Sequence, residues 1–306
     1  MEVDPSQHSC PNTECPDCGK VGAGNIRIHC SRDRRLRCAT CNKRFSARQG
    51  TIFYKLRTDE KTVLTALALL AERNSARATA RILGTNEDTV LEWLAKAAQH
   101  AAQVSELLIR KLNISQVQLD EMWSFVEKKD KHRNQPDPAP DKGDAWAWRC
   151  IDVASRLRIA NHLSKTREVA DALPFISKVA DRVDGFEVLL TTDKLKAYQA
   201  AMLEVFGVPE PEQSRRTGRP RRRRKVFPPG LLYGQIDKER EYGRLVCVDR
   251  RAVVGTMTEI QAALDRDGSC KVINTSLVER DNLSVRQHNG RTVRKTLSYS
   301  KDWQMH

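Results

Sequence analysis

Three carboxylates stand where a carboxylate is costly. Asp120 follows the strand-like run Val117-Gln-Leu, and Asp193 ends the apolar run Val188-Leu-Leu-Thr-Thr. Glu279 follows Val272-Ile-Asn-Thr-Ser-Leu-Val and opens the amphipathic segment Arg280-Asp-Asn-Leu-Ser-Val-Arg. Acids at strand ends and at a helix start can converge on one pocket. Three of them there can hold two Mg²⁺ ions (or Mn²⁺) while phosphate oxygens of a substrate complete the coordination shells. Arg286 lies seven residues after Glu279, two helical turns along the same face, in reach of a phosphate. His288 reads as structural.

A second chemistry lies near the start. Six of the nine cysteines fall within the first 41 residues. Cys15-Pro-Asp-Cys18 and Cys38-Ala-Thr-Cys41 are two C-x2-C pairs separated by 19 residues. Each pair can form a tight turn that aims two thiolates at one point, and two such turns make a tetrahedral shell for structural Zn²⁺. Cys10 offers an alternative: with Cys15 it forms a C-x4-C pair, so Cys10 can replace Cys15 or Cys18. Cys30 reads as a free thiol. Cys150, Cys247 and Cys270 each sit in an apolar run and read as small buried side chains.

The elements that position these groups are legible from periodicity. Residues 1–57 form a Cys-rich, basic zone. Residues 58–106 are helical in pattern: Val63, Leu67, Leu70; Ala76, Ala80, Leu83; Val90, Leu94, Ala97. Gly84 punctuates this pattern, and Asn86 is placed to cap a helix Glu87–Gln99. Three short helices with a tight turn are the arrangement of a helix-turn-helix. Arg73, Arg77 and Arg81 fall on one helical face, and Arg77, Arg81, Asn86, Thr89 and Lys96 are the expected nucleic-acid contacts. From residue 107 the pattern changes. Gln116–Val126 reads as a strand, Trp146–Asp152 and Leu157–Leu163 as a hairpin, and Glu168–Val183 as a helix. Phe186–Leu190 reads as a buried strand and Ala197–Phe206 as a helix. Residues 128–143 read as a loop, and Trp123, Trp146 and Trp148 as core. The order indicates an α/β layer fold.

The chain has 306 residues, with 53 Lys+Arg against 39 Asp+Glu and a net charge of +14. That balance favours a polyanion, either nucleic acid or an anionic membrane surface. No run of 18 apolar residues and no secretory leader is visible, and no basic amphipathic segment argues for a membrane. The expected location is the cytoplasm, on the bacterial nucleoid. Ser214–Lys225 holds eight basic residues and no acid, leaving +6 for the remaining 294 residues. Within it Gly218-Arg219-Pro220 resembles the core of an AT-hook, a minor-groove reader. The plainer reading is a loop in which Arg219, Arg221, Arg222, Arg223 and Arg224 grip phosphates.

Three segments together resemble the DDE transposases of the insertion-sequence-one family: Leu119-Asp120-Glu121-Met122-Trp123; Thr192-Asp193-Lys194-Leu195-Lys196-Ala197-Tyr198; and Val278-Glu279-Arg280-Asp281-Asn282-Leu283-Ser284-Val285-Arg286. The upstream Cys pairs resemble that family's zinc ribbon, and Ser75–Gly84 its helix-turn-helix. The resemblance runs from about residue 10 to 303. It implies a multidomain protein: a zinc ribbon (1–57), a small all-α helix-turn-helix (58–106), and an α/β ribonuclease-H-like catalytic domain with a mixed sheet (107–306). A basic insertion is expected at about 208–270, because 86 residues separate Asp193 from Glu279. The implied activity is Mg²⁺-dependent cleavage and strand transfer of double-stranded DNA, at element ends and target. Asp120, Asp193 and Glu279 are the implied metal ligands, Arg286 an implied DNA contact, and a homo-oligomer on DNA the implied assembly. Two other readings are a non-catalytic DNA-binding regulator (or an inactive copy cut short at its C-terminus) and an RNA-processing nuclease of the same fold.

Overall fold

The computed structural model describes residues 3–130, 141–210 and 224–306. Two compact units divide the chain: residues up to 70 with 76–104, and residues 105–306 with the short segment 71–75.

The first unit begins with a three-stranded antiparallel sheet, β1 (Ile26–Cys30), β2 (Arg35–Cys38) and β3 (Arg44–Ser46), in that order. Its buried set is Cys10, Cys15, Ile26, Leu36, Cys38 and Phe45. Half of these are cysteines. So small an apolar core cannot offset the entropy of ordering the segment, and a metal is the natural supplement. The chain then enters α1 (Glu60–Ala71), α2 (Ala76–Leu83) and α3 (Glu87–Leu108). Asp59 opens α1, its Oδ1 accepting from the Thr62 N–H at 2.9 Å. Val63, Ala66, Ala76, Ala80, Val90 and Trp93 form the core of the three helices, largely the residues the helical period marks. Gly84 ends α2 in the left-handed region (φ 62°), where a Cβ would be costly. Asn86 caps α3 as expected, its Oδ1 accepting from the Asp88 N–H at 3.3 Å.

Two expectations fail here. α3 has 22 residues and runs nine past Gln99, so it is not a short helix. Arg73 lies in the turn between α1 and α2 with φ 67°, so it does not extend the face of Arg77 and Arg81.

The second unit is built on a six-stranded mixed sheet. Its elements are β4 (Gln116–Val126), β5 (Gly143–Asp152), β6 (Arg158–Ser164), α4 (Val169–Arg182), β7 (Leu189–Asp193) and α5 (Lys196–Phe206). Then come the short pair β8 (Val208–Pro209) and β9 (Lys225–Val226), and after it β10 (Leu232–Glu241), β11 (Arg244–Val254), α6 (Met257–Asp267) and α7 (Ser276–His288). The strand order is β11-β10-β7-β4-β5-β6. β4, β5 and β6 pair antiparallel, β7 runs parallel to β4, and β10 runs parallel to β7. The alternation of β7 shows why such a strand is apolar on both faces. Leu190 packs with α4 and α5 side chains such as Phe175 and Tyr198, whereas Leu189 packs with Ile260, Leu264 and Ile273 on the other face. Helices therefore cover both faces of the sheet. Trp148 is fully buried at the centre, edge-on to Tyr198 with ring centroids 5.4 Å apart.

Several expectations shift. The buried strand is Leu189–Asp193 rather than Phe186–Leu190, and Phe186 is exposed. Trp123 and Trp146 are only partly buried, unlike Trp148. Cys150 and Cys270 are buried as expected, but Cys247 is exposed because β11 is an edge strand with an outward face. The stretch 208–270 is not simply an insertion, since β10 and β11 belong to the main sheet. Most of the expected 128–143 loop lies outside the described residues.

Candidate functional site

The sulfurs that converge are those of Cys10, Cys15, Cys38 and Cys41, all within 4.8 Å of one another. Cys10 and Cys41 Sγ lie 3.5 Å apart, and Cys15 and Cys38 Sγ 3.9 Å apart. Cys18 is not part of this group, which corrects the C-x2-C reading of the first pair. The reason is backbone geometry: the Cys18 N–H donates to Cys15 O (2.9 Å), and the Gly19 N–H to Cys10 O (3.1 Å). Cys18 thereby becomes the backbone bridge partner of Cys10. Burial opposes ionisation of Cys38, but N–H donors from Cys41 and Thr40 outweigh it and bring the thiol down to about 6. Burial pushes Cys10 up to about 12. Four sulfurs in one small volume form a donor set suited to Zn²⁺.

Asp120, Glu121 and Asp193 bring a carboxylate oxygen each within 4.8 Å of one another. The pairing of Asp120 with Asp193 is the expected one, and the structure brings them together. Glu121 is the addition. It directly follows Asp120, and strand alternation places adjacent residues on opposite faces. The exception arises where β4 runs past its last pairing with β7. β7 pairs only with Gln116–Gln118, so beyond Gln118 that side of β4 has no strand beside it. Both acids there reach Asp193 at the end of β7.

Burial pushes Asp120 up to about 8, helped by the charges of Glu121, Asp193 and Glu279. Burial and Asp193 likewise push Glu121 up to about 7, against hydrogen bonds from Tyr198 and Arg167. Tyr198 Oη donates to Glu121 Oε2 at 2.9 Å, and Arg167 Nη1 to Oε1 at 3.2 Å. Asp193 is also raised, chiefly by burial. Acids this crowded resist ionising together unless a cation joins them. Hard carboxylate oxygens suit Mg²⁺ or Mn²⁺.

Glu279 stands outside the converged trio. Its Oε1 accepts from Thr275 Oγ1 at 2.6 Å and is ion-paired with Lys238. One turn on, Asn282 Nδ2 donates to Asp120 Oδ2 at 2.7 Å. Arg286 Nη2 donates to the Trp123 carbonyl at 3.1 Å, tying α7 to β4, and its Nε is buried without a partner among the described residues. Arg149, opposite Asp120 in the ladder, pairs with Asp281 at 3.3 Å.

In the first unit, Arg77, Arg81, Asn86 and Glu87 line an open cavity of about 620 Å³. Arg81 is exposed, whereas Arg77 is held by Glu87 at 2.8 Å and Lys96 by Glu92 at 2.8 Å. Thr89 is partly exposed. Arg219, Arg221, Arg222 and Arg223 lie outside the described residues, while Arg224 is exposed.

No family model and no curated protein matches the sequence. Among solved structures, the Mos1 strand transfer complex is 14% identical, covering 49% of this chain and 56% of that one at a TM-score of 0.20. The Mos1 transposase paired-end complex with left transposon end is 15% identical, covering 48% and 58% at 0.19. A pre-cleavage Mos1 transpososome is 13% identical, covering 50% and 60% at 0.20. The chain thus spans somewhat over half the length of the solved chains it matches. At that overlap the likeness carries no weight for fold or chemistry, which rest on the strand order and the site geometry. Among the described residues, no helix is long and apolar enough to cross a membrane.

Proposed function

We propose that this chain is a DNA transposase that cuts and joins DNA at the carboxylate cluster of its second unit. The observation that carries this reading is the convergence of Asp120, Glu121 and Asp193 at the ends of neighbouring strands. The sheet supports it. Three antiparallel strands followed by two parallel ones, β6-β5-β4-β7-β10, fit a ribonuclease-H-like arrangement with its acids on the central strand and its neighbour.

In this reading Asp120, Asp193 and one glutamate hold Mg²⁺ or Mn²⁺. Glu121 is already in the cluster, and Glu279 is one ion pair away. When bound, the metal supplies Lewis-acid activation of water and stabilisation of the leaving 3′ oxygen. The chain's own residues orient the acids. Asn282 holds Asp120 through Oδ2. Tyr198 and Arg167 fix Glu121. Tyr198 of α5, which donates to Glu121, is itself fully buried. No side-chain nucleophile is required. The Cys10/Cys15/Cys38/Cys41 group would hold structural zinc, and α2 and α3, with Arg81 and Asn86 exposed, would contact duplex DNA.

The test is nicking of supercoiled plasmid in Mg²⁺. Wild type is expected to nick, and Asp120→Asn and Asp193→Asn to fall to background with DNA affinity preserved. Undiminished nicking by Asp193→Asn would defeat the assignment. Wild type that binds DNA but never nicks would favour the regulator reading.

A further inference from the structure

Gln118 is the last residue of β4 that pairs with β7, and it stands two residues before Asp120 on the same face of the strand. It is fully buried, yet the cleavage chemistry gives its side chain no task. Both halves of its amide are spent on the start of α7 and the turn before it. Oε1 accepts from the N–H groups of Leu277 at 3.0 Å and Val278 at 3.2 Å. Nε2 donates to Asn274 Oδ1 at 3.0 Å and faces Cys270 Sγ at 3.8 Å. Asn274 Oδ1 in turn accepts from the Ser276 N–H at 3.1 Å.

These bonds stand in for a local cap. The first turn of any helix leaves N–H groups without partners inside the helix. Thr275, just before α7, supplies no side-chain cap, because its hydroxyl is turned to Glu279 Oε1 at 2.6 Å. A strand side chain 159 residues away in sequence does so instead.

The spacings on the two elements match. Gln118 to Asp120 is about 7 Å along a strand. Leu277 and Val278 to Asn282 is about 6–7.5 Å along a helix. α7 is thus pinned to β4 by Gln118, by the contact of Asn282 with Asp120 at 2.7 Å, and by that of Arg286 with the Trp123 carbonyl at 3.1 Å. The last two run through side chains of α7, whereas Gln118 grips its backbone. A slip of one residue there would turn the helix by about 100° and carry Asn282 off Asp120.

We propose that Gln118 is a positioning residue for the carboxylate cluster: it sets the register of α7, and through it the placement of Asn282 against Asp120. The proposal rests on the metal-site reading of that cluster, and its test separates the two.

The full-length chain without DNA is titrated with Mn²⁺, free ion being read by electron paramagnetic resonance. Gln118→Met keeps the side chain's length and removes its hydrogen bonds. It should weaken Mn²⁺ binding roughly 10- to 100-fold, as loss of a group that orients a ligand does. Asn282→Ala should weaken it similarly, and the double variant little further, because Gln118 acts through Asn282. Gln118→Glu keeps the acceptor for Leu277 and Val278 and should stay close to wild type. The Asn282 side-chain amide gives a metal-free readout by nuclear magnetic resonance. Its signal, identified by its loss in Asn282→Ala, should shift in Gln118→Met and hold its place in Gln118→Glu. Should Gln118→Met fold poorly by melting temperature, hydrogen exchange of wild type carries the test: the Leu277 and Val278 amides should exchange as slowly as that of Asn282. Exchange at the unfolded rate would overturn the proposal. So would wild-type Mn²⁺ affinity in a well-folded Gln118→Met, or losses that multiply in the double variant. Wild type that binds no Mn²⁺ while the Asn282 signal moves as expected removes the metal reading alone. Mn²⁺ binding with an unmoved signal removes the positioning proposal alone.

Discussion

Asp120 is held by opposed forces. Burial and three neighbouring acids favour its neutral form, while Asn282 donates to it from a helix 162 residues away in sequence. A cation relieves the repulsion, so metal binding and stability are linked. Mn²⁺ should therefore raise the melting temperature of wild type, by the equivalent of about 2.7 kcal/mol at a concentration a hundredfold above its Kd. Asp120→Asn should abolish that rise. Equal shifts in both proteins, read by differential scanning fluorimetry, would place the ion elsewhere. Part of this site is legible from the sequence. Asp120 and Asp193 each interrupt or end an apolar run, and that local conflict marks them. Glu121 carries no such mark. Its side chain reaches the cluster because β4 lacks a partner strand beyond Gln118, a fact of pairing between distant segments.

At the scale of elements, the small cysteine-built sheet and the C-terminal segment each make a prediction. The sheet buries few apolar side chains besides its cysteines, so zinc should supply much of its folding free energy. Cys10→Ser should lose zinc and Cys18→Ser should retain it, with zinc content read by mass spectrometry of the native protein. The reverse result would restore the C-x2-C reading. The C-terminal segment is tied to β4 through His306, whose ring nitrogens lie 2.7 Å from Ser124 Oγ and 3.0 Å from Ser300 Oγ. Burial, with Arg291 nearby, holds this histidine down to about 4, below its ordinary value near 6.5. Above 6.5 the ring is neutral in folded and unfolded chains alike. As pH falls from 6.5 towards 4, only the unfolded chain takes up the proton, so stability is lost across that window. The melting temperature of wild type should fall more steeply there than that of His306→Gln. Parallel pH profiles would show that the ring does not titrate with folding. The elements themselves are largely visible in the sequence. β4 has the expected bounds, α4 is shorter than expected by a residue at each end, and α5 begins one residue earlier. β7 is displaced from its expected place because Phe186 looks like core in sequence yet lies exposed just before the strand.

At the scale of the whole molecule, charge is concentrated rather than spread. Residues 214–225 supply eight of the net +14. If that stretch grips phosphates, deleting it should make the dependence of log K on log salt shallower, by about 0.9 for each phosphate it neutralises. An unchanged slope in a filter-binding series would assign the charge to something other than DNA.

The sequence by itself marked the order of elements between residues 58 and 206 and the approximate addresses of the acids and cysteines that stand out from them. Periodicity, caps and breakers are local, and so are the acids and cysteines that violate them. Only the tertiary structure decided which members converge. It selected Cys10 over Cys18, set Glu121 beside Asp193 while Lys238 holds Glu279, drew β10 and β11 into the main sheet, and left Trp123 and Trp146 only partly buried. Each of those outcomes depends on strand pairing and helix docking between residues far apart along the chain, and no local pattern records which distant edge a strand will find.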